Sequence, residues 1–285
     1  MSYVKPDHLI DQLVHSGVVK TKLTARQMFV RGTLSGAILG AATTLALTAA
    51  AQTGLPIVGA LVFPVGFVVI LMLGLELVTG SFAIIPLAIL EGRTTIAKGL
   101  KNFAVVIPAH IFGAGLYAVL YVGVITYLGT DTTDPMIQAI INMAEHKVLP
   151  YATIGAGGVL VAIIKAMLCN WMVALGTIMF YTSTSASGKI LGMWLPVLTF
   201  FGLGLEHAVV NMFVIPAGML LGADISFGDW WGWNTGPVLI GNFLGAVLFT
   251  ALPLYFSHRT KVNRAAALEA DDDGASAPEL TVTHS

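Results

Sequence analysis

The tripeptide Gly74-Leu75-Glu76 returns 130 positions later as Gly204-Leu205-Glu206, and both copies lie inside apolar stretches long enough to cross a membrane. A carboxyl group in hydrocarbon is costly, so an intramembrane glutamate usually faces a protein interior or a polar cavity and marks a transport route. A matching pair of interrupted hydrophobic segments, one in each half of a chain, is typical of inverted-repeat transporters with a site near the bilayer midplane. We therefore interpret the two glutamate regions as the two walls of one pathway.

The composition indicates a polytopic membrane protein. Of the 285 residues, 56% are hydrophobic and 10% are charged, with a mean hydropathy of +0.85, whereas about 25% of the residues in a soluble domain are charged. The net charge of -1 gives no indication of a nucleic-acid partner. The single cysteine, Cys169, excludes an internal disulfide and a cysteine metal cluster, and we expect no metal and no cofactor.

Apolar segments of about 20 residues or more are candidates for membrane spans. The second and fifth candidates each exceed 30 positions and contain a Gly-rich, Glu-bearing interruption. We expect each of these to be two half-helices joined by non-helical backbone, which is tolerated at membrane depth where protein or water satisfies its polar groups. The six predicted spans are 29–51, 56–90, 102–128, 152–181, 190–221 and 235–257.

A second similarity supports two equivalent halves. The segment Phe112-Gly113-Ala114-Gly115-Leu116 resembles Phe243-Leu244-Gly245-Ala246-Val247, and Gly113 and Gly245 are 132 residues apart. An odd number of spans in each half places the two halves in the membrane with opposite topology. The expected fold class is therefore an all-α membrane protein, built as an inverted 3+3 repeat with broken second and fifth helices.

The basic residues predict the orientation. Lys and Arg precede the first span and follow the second, fourth and sixth, so by the positive-inside rule both termini are expected in the cytoplasm. Residues 129–151 are then expected to be an outer loop. We expect residues 1–28 to be a cytoplasmic amphipathic segment, 29–257 a six-span transmembrane domain and 258–285 a disordered cytoplasmic tail.

The most informative run is Gly204-Leu205-Glu206-His207-Ala208-Val209-Val210-Asn211-Met212-Phe213, followed by Pro216. His207 and Asn211 are four residues apart and fall on one helical face. Histidine is the side chain whose ordinary pKa lies nearest to physiological pH, so it is suited to exchange a proton with a weak acid. The alternative interpretation is a packing histidine that donates to a backbone carbonyl.

Three segments, in order along the chain, resemble the signature segments of the formate/nitrite transporter family. They are Glu76-Leu77-Val78-Thr79-Gly80, Cys169-Asn170-Trp171-Met172-Val173 and the run from Gly204 to Pro216, and the resemblance covers about residues 10 to 260. It implies an aquaporin-like six-helix protomer in the lipid bilayer and self-association as a homopentamer. It also implies one pore per subunit for small monovalent anions such as formate, nitrite, lactate or hydrosulfide.

The resemblance assigns roles to individual positions. It places the central pore histidine, which we expect to donate a proton to the anion, on His207, with Thr79 offering its hydroxyl to that ring and Asn170 facing the pore. The other candidates are the pore polar residues Glu206, Asn211 and Lys147, the buried acid Glu76 and the constriction residues Phe63, Phe67, Leu77 and Phe200. The alternative for the phenylalanines is a place in the core, because Phe at helical spacing is more often core than gate.

One position departs from the family pattern. The basic residue that the family carries sixteen positions before the asparagine would here be Ile154. We expect Lys147, seven residues earlier, to take this role, and Lys165, an unpaired cation inside the fourth span, is the rival. The other interpretation of Lys147 is an ordinary solvated loop charge.

The sequence therefore predicts a pH-dependent, proton-coupled channel or transporter for nitrite or formate in the cell membrane. The alternative is an aquaporin-like channel for water or small neutral solutes, although paired Asn-Pro-Ala half-helix ends are absent. An enzyme is not expected, because the sequence lacks His-Glu-x-x-His, Gly-x-Gly-Asp and Gly-rich phosphate-loop motifs.

Overall fold

The computed structural model describes residues 3–258, and within this range the regular elements are helices. The helices are α1 (Pro6–Lys22), α2 (Ala25–Thr53), α3 (Pro56–Val62), α4 (Val65–Met72), α5 (Val78–Leu90), α6 (Ile96–Ile125), α7 (Pro135–Ile154), α8 (Ala156–Tyr181), α9 (Ala186–Gly202), α10 (Ala208–Leu220) and α11 (Phe227–Ser257). The last helix contains π-helical segments at Trp230–Thr235 and Val247–Ala251. The predicted all-α class is confirmed.

Within the described part of the chain, α2, α6, α8 and α11 are long and apolar enough, by length and composition, to cross a membrane. They coincide with the first, third, fourth and sixth predicted spans. The second predicted span, 56–90, contains the three shorter helices α3, α4 and α5, and the fifth, 190–221, contains most of α9 and all of α10. The prediction of a multi-pass membrane protein is confirmed.

The repeated Gly-Leu-Glu tripeptide ends α4 and α9 in the same way. Gly74 and Gly204 both have a φ of 62°, in the left-handed region that glycine adopts at little steric cost. The N–H of Leu75 then donates to the carbonyl of Ile70 at 2.9 Å, and Leu205 makes the equivalent bond at 3.1 Å. These bonds end each helix. A short non-helical segment that contains the glutamate then connects α4 to α5, and the equivalent segment connects α9 to α10.

Residues 129–151, which the sequence predicted as an outer loop between two spans, are largely helical, and the side of the membrane on which they lie stays a prediction. Most of this region belongs to α7, a helix of 20 residues. The sequence analysis did not identify this helix, because the polar and charged residues in the stretch obscure an amphipathic pattern in which apolar positions recur every three or four residues. The buried apolar positions of α7 include Ile137, Ile140, Ala144, Val148 and Tyr151.

The helices pair in the same way in the two halves. α2 contacts α3 and α6, and α8 contacts α9 and α11 in the second half. α1 packs on α5 as α7 packs on α10. Gly113 of α6 lies against the backbone of Thr33, and Gly245 of α11 lies against the backbone of Met167. Small residues at these crossings let helix backbones approach closely in lipid.

The predicted amphipathic segment, 1–28, contains α1, and the apolar side chains of α1 are packed against α5. This contact includes Leu9, Ile10, Leu13 and Val14 of α1 with Ile84, Leu87 and Ala88 of α5. The predicted tail, 258–285, lies outside the described residues beyond its first position.

Candidate functional site

His207 lies where α10 begins, and its ring is 1% exposed. Its Nδ1 accepts a hydrogen bond from the N–H of Val210 at 3.2 Å, and its Nε2 lies 3.0 Å from the Thr79 hydroxyl oxygen in the first turn of α5. Because a backbone N–H can only donate, Nδ1 must be the acceptor. The neutral ring therefore carries its proton on Nε2 and donates it to Thr79. The two residues join the first turns of α5 and α10.

Phenylalanine rings enclose the imidazole of His207. The Phe200 ring lies 5.4 Å from it between ring centroids and is nearly parallel, whereas the Phe67 ring lies 5.6 Å away at 68°. Phe63 contacts both of these phenylalanines, at 5.7 and 6.0 Å, and stacks on Phe201 at 3.9 Å. The three phenylalanines that the sequence suggested as constriction residues therefore lie together in one cluster. Phe201 also belongs to this cluster and was not identified from the sequence.

Glu206 is paired by several donors at once. Its carboxylate accepts hydrogen bonds from the Lys147 ammonium at 3.1 Å, the Tyr151 hydroxyl at 2.8 Å and the Asn211 amide at 2.8 Å. The amide of Asn234 lies at 3.3 Å. The Glu206 side chain is 2% exposed. Such dense pairing compensates for the cost of placing a carboxylate away from water.

A similar cluster surrounds Glu76, which precedes α5. Its carboxylate accepts from the Lys20 ammonium at 2.8 Å and from the Asn102 amide at 3.1 Å. Asn102 also donates to the backbone carbonyl of Lys20, at 3.4 Å. In the second half, Asn234 donates in the same manner to the backbone carbonyl of Lys147, at 2.8 Å. The two clusters thus have in common a lysine, a glutamate and an asparagine that binds both of them: Lys20, Glu76 and Asn102 in one, and Lys147, Glu206 and Asn234 in the other.

The structure distinguishes the two candidate lysines. Lys147 belongs to α7, and its side chain is 10% exposed, so it is not a solvated loop charge. Lys165 of α8 is 35% exposed, and its ammonium lies 4.0 Å from the other carboxylate oxygen of Glu206. Ile154 is an exposed residue at the end of α7. Both lysines therefore face one carboxylate, and Lys147 makes the shorter contact.

The predicted Asn170 side chain binds backbone. Its amide donates to the carbonyl of Thr79 at 3.0 Å and to that of Asn242 at 2.7 Å. Asn242, which the sequence reasoning missed, accepts the N–H of Ala208 at 2.9 Å and donates to the carbonyl of Glu206 at 2.9 Å. These two asparagines hold the chain on both sides of the contact between the first turns of α5 and α10.

The first turn of α5 presents backbone donors. The earliest N–H that bonds within this helix is that of Ser81, which donates to the Leu77 carbonyl at 3.0 Å, so the N–H groups of residues 78–80 come before the ladder. The N–H of Val78 is bound by the ring of His110 at 3.1 Å. The predicted constriction residue Leu77 is buried at this helix start. Free N–H groups and the positive end of a helix dipole favour a negative charge.

Several residues of these networks were not identified from the sequence. Two pairs among them share the spacing of 132 that separates Gly113 from Gly245, and this spacing is the signal that would have found them. The missed residues are Lys20, Asn102, His110, Tyr151, Asn234 and Asn242, of which Asn102 pairs with Asn234 and His110 with Asn242. Within residues 3–258, no group of three or more His, Cys, Asp or Glu side chains is arranged to hold a metal ion.

Comparison with known proteins gives consistent matches. The family model described as Formate/nitrite transporter matches residues 7–256. An uncharacterized transporter, YrhG, of Bacillus subtilis is 30% identical over 269 residues, which cover 92% of this chain and 96% of the relative. A probable formate transporter of Methanothermobacter thermautotrophicus is 32% identical over 204 residues, 69% of this chain and 73% of the relative.

A solved structure, described as a pentameric formate channel with formate bound, has a similar fold. It superposes with a TM-score of 0.67 at 20% sequence identity and covers 81% of this chain and 96% of the solved chain.

Proposed function

The chain belongs to the formate/nitrite transporter family, and on that premise we propose that it conducts small monovalent weak-acid anions, nitrite or formate, across the cell membrane. The observation that carries this proposal is the contact of His207 with Thr79, enclosed by phenylalanine rings at the meeting point of two helix N-termini. The names of the relatives, a formate transporter and a formate channel, support the substrate class.

The proposed architecture is an inverted 3+3 repeat. In it, α3 and α4 continue through a break into α5 as the second span, and α9 continues through a break into α10 as the fifth. The matching helix pairs and the two Lys-Glu-Asn clusters support this arrangement. Both termini are then cytoplasmic, 29–257 is the channel domain, and 1–28 is peripheral to it.

We also propose that the protein is a homopentamer with one pore in each subunit. The formate channel of similar fold is described as pentameric, and this supports the assembly.

The phenylalanine cluster presents a barrier that depends on charge. An unpaired charge in an apolar medium is penalised far more than a neutral molecule. The positive ends of the α5 and α10 dipoles attract an anion to His207, but the anion cannot leave through an apolar constriction at low cost. Protonation to the neutral acid removes most of that barrier. The channel then carries the acid, in effect the anion together with one proton.

The hydrogen bonds of His207 support one route for this proton in the proposed function. A neutral ring cannot give up its Nε2 proton without forming an imidazolate, so the ring must first take a proton at Nδ1. That step displaces the hydrogen bond from Val210, a loss of about 1 kcal/mol. The imidazolium then donates from Nε2 to the Thr79 oxygen while the Thr79 hydroxyl proton passes to the anion. The ring is left neutral, with its proton on Nδ1, and a proton taken up from solution at Nε2 restores the imidazolium for the next anion.

The test is His207→Ala in the full-length protein, reconstituted in proteoliposomes and assayed with radiolabelled formate and nitrite. We expect uptake that rises toward acid pH in the wild type and loss of this rise in the variant. His146→Ala is the matched control, because it removes an exposed histidine next to Lys147. Unchanged uptake and an unchanged pH profile in His207→Ala would rule out the proton-donor role.

Swelling assays separate the proposed function from a neutral-solute channel. Proteoliposomes in isotonic formate or nitrite should swell, and proteoliposomes in glycerol should not. Glycerol-driven swelling without anion-driven swelling would favour the aquaporin-like alternative. A competition series with lactate and hydrosulfide against formate and nitrite then ranks the substrates.

A further inference from the structure

We propose that His110 is a positioning residue that holds the first turn of α5, and with it Thr79, in the conducting arrangement, and that a proton on His110 releases this hold. Asn242 holds Ala208 of α10 in the same manner but cannot be released by a proton, so α10 stays anchored when His207 itself is protonated. This proposal deepens the proposed function and rests on it. The consequence is a pore whose two halves respond differently to acid.

Both ring nitrogens of His110 form hydrogen bonds to the backbone. Its Nδ1 lies 2.8 Å from the backbone carbonyl oxygen of Gly32, and its Nε2 lies 3.1 Å from the backbone N of Val78. A carbonyl can only accept and a backbone N–H can only donate, so Nδ1 donates and Nε2 accepts. The ring is 0% exposed. It is therefore held in one neutral tautomer, and a second proton has no position that leaves both hydrogen bonds intact.

Asn242 occupies the equivalent place in the second half. It lies 132 residues after His110, the spacing that also separates Gly113 from Gly245. Its side-chain oxygen accepts the N–H of Ala208 at 2.9 Å. Ala208 is the first residue of α10, as Val78 is the first of α5. The same anchor is thus made by an imidazole in one half and by an amide, which does not titrate, in the other.

The residue next to the His110 anchor is Thr79. Protonation at Nε2 would place an N–H against the N–H of Val78, and it would add a positive charge at the positive end of the α5 dipole. Both effects push the first turn of α5 away from the ring. Because the Thr79 hydroxyl lies 3.0 Å from His207, this movement breaks the contact on which the proposed proton transfer depends.

The charged and titratable groups on the elements packed against His110 do not supply a free counter-ion. Lys20 of α1 is paired with Glu76, at 2.8 Å. The guanidinium of Arg31, on α2, donates to the carbonyl of Gly74 at 3.3 Å. α10 contributes His207. Within the described residues, the carboxylate of Glu76, two residues before Val78, is already bound by a lysine and an asparagine.

The experiment compares His110→Asn with His110→Ala, because asparagine is the residue that the second half uses for the same anchor. In proteoliposome uptake of formate, we expect wild-type activity to rise as the pH falls from neutral, as the proposed function requires, and then to fall again at the acid end of the profile. His110→Asn should keep wild-type uptake within about twofold at neutral pH and lack the acid loss, whereas His110→Ala should be slower at every pH by on the order of tenfold. His146→Asn, on the exposed face of α7, is the control.

The outcomes are distinct. The proposal that a proton on His110 releases α5 is refuted if His110→Asn still loses uptake at the acid end of the profile. It is also refuted if the wild type shows no such loss. Wild-type uptake in His110→Ala at neutral pH overturns the positioning role, and a His110→Asn protein that folds but is as slow as His110→Ala does so as well. Parallel His207→Ala measurements separate the two proposals, because that variant tests the proton donor without touching the α5 anchor. If the protein conducts glycerol but not anions, the proposed function fails, and the effect of the His110 variants is then measured as the rate of glycerol-driven swelling of proteoliposomes.

Discussion

Replacing Glu206 by glutamine removes the charge that pairs the buried ammonium of Lys147. The two groups are 3.1 Å apart, and their side chains are 2% and 10% exposed. Glutamine has nearly the same shape and keeps one acceptor oxygen, so the Tyr151 hydroxyl or the Asn211 amide retains a partner. The ammonium, however, loses its counter-ion in a place that water hardly reaches. The expected result is a large loss of stability without a change in fold.

The magnitude follows from the burial. Removing one partner of a buried ion pair costs about 3–5 kcal/mol, because it leaves an uncompensated charge. At about 2–4 °C for each kcal/mol, this corresponds to a fall in Tm of roughly 6–20 °C. Lys165, whose ammonium lies 4.0 Å from Glu206, loses part of its partner as well, which moves the expectation toward the upper end.

The assay is thermal unfolding in detergent, followed by tryptophan fluorescence, on a double-mutant cycle. Its members are the wild type, Glu206→Gln, Lys147→Met and the double variant. The double variant should be more stable than Glu206→Gln, because it removes the stranded ammonium together with the carboxylate. Glu145→Gln, on the same helix as Lys147 and near the surface, is the control and should change stability by less than about 0.5 kcal/mol.

Two results would refute this reasoning. One is a Glu206→Gln protein as stable as the wild type, which would mean that the ammonium of Lys147 finds water or another partner at no cost. The other is a double variant whose loss equals the sum of the two single losses. In that case the interaction free energy between Lys147 and Glu206 would be zero, and the ion pair would not contribute to stability.

Two further predictions concern Thr79 and the crossing of α2 with α6. Thr79→Val keeps the shape of the side chain but removes the hydroxyl next to His207, so we expect formate uptake to fall on the order of 10²-fold. Thr79→Ser keeps the hydroxyl and should keep the uptake. Equal uptake in the two variants would show that the hydroxyl takes no part. Gly113→Ala places a methyl group into the backbone of Thr33, whereas Gly115→Ala meets nothing within 4 Å. We expect a loss of about 1–3 kcal/mol for the first and little change for the second, both measured by thermal unfolding. Similar Tm values for the two alanine variants would contradict the close approach of the helices.

The parts of the site that could be predicted are those carried by local pattern. His207, Thr79 and the three phenylalanines stand in recognisable segments, and the structure brings them together. Lys147 was selected from two lysines, and the structure places both against Glu206, with Lys147 closer. No local pattern identified His110, because one histidine in an apolar helix has no partner visible along the chain.

The amino-acid sequence by itself determined the membrane class, the long spans and the two points at which helices end, because hydropathy and the left-handed conformation of glycine are properties of a few neighbouring residues. The repeated Gly-Leu-Glu also marked two places where the local structure is alike. Only the tertiary structure decided which side chains complete the site. Lys20 meets Glu76 across 56 positions and Asn242 meets Ala208 across 34, and such contacts depend on how α1, α5, α10 and α11 pack. Hydrogen bonds require donors and acceptors within about 3 Å, a condition that folding sets and sequence spacing does not.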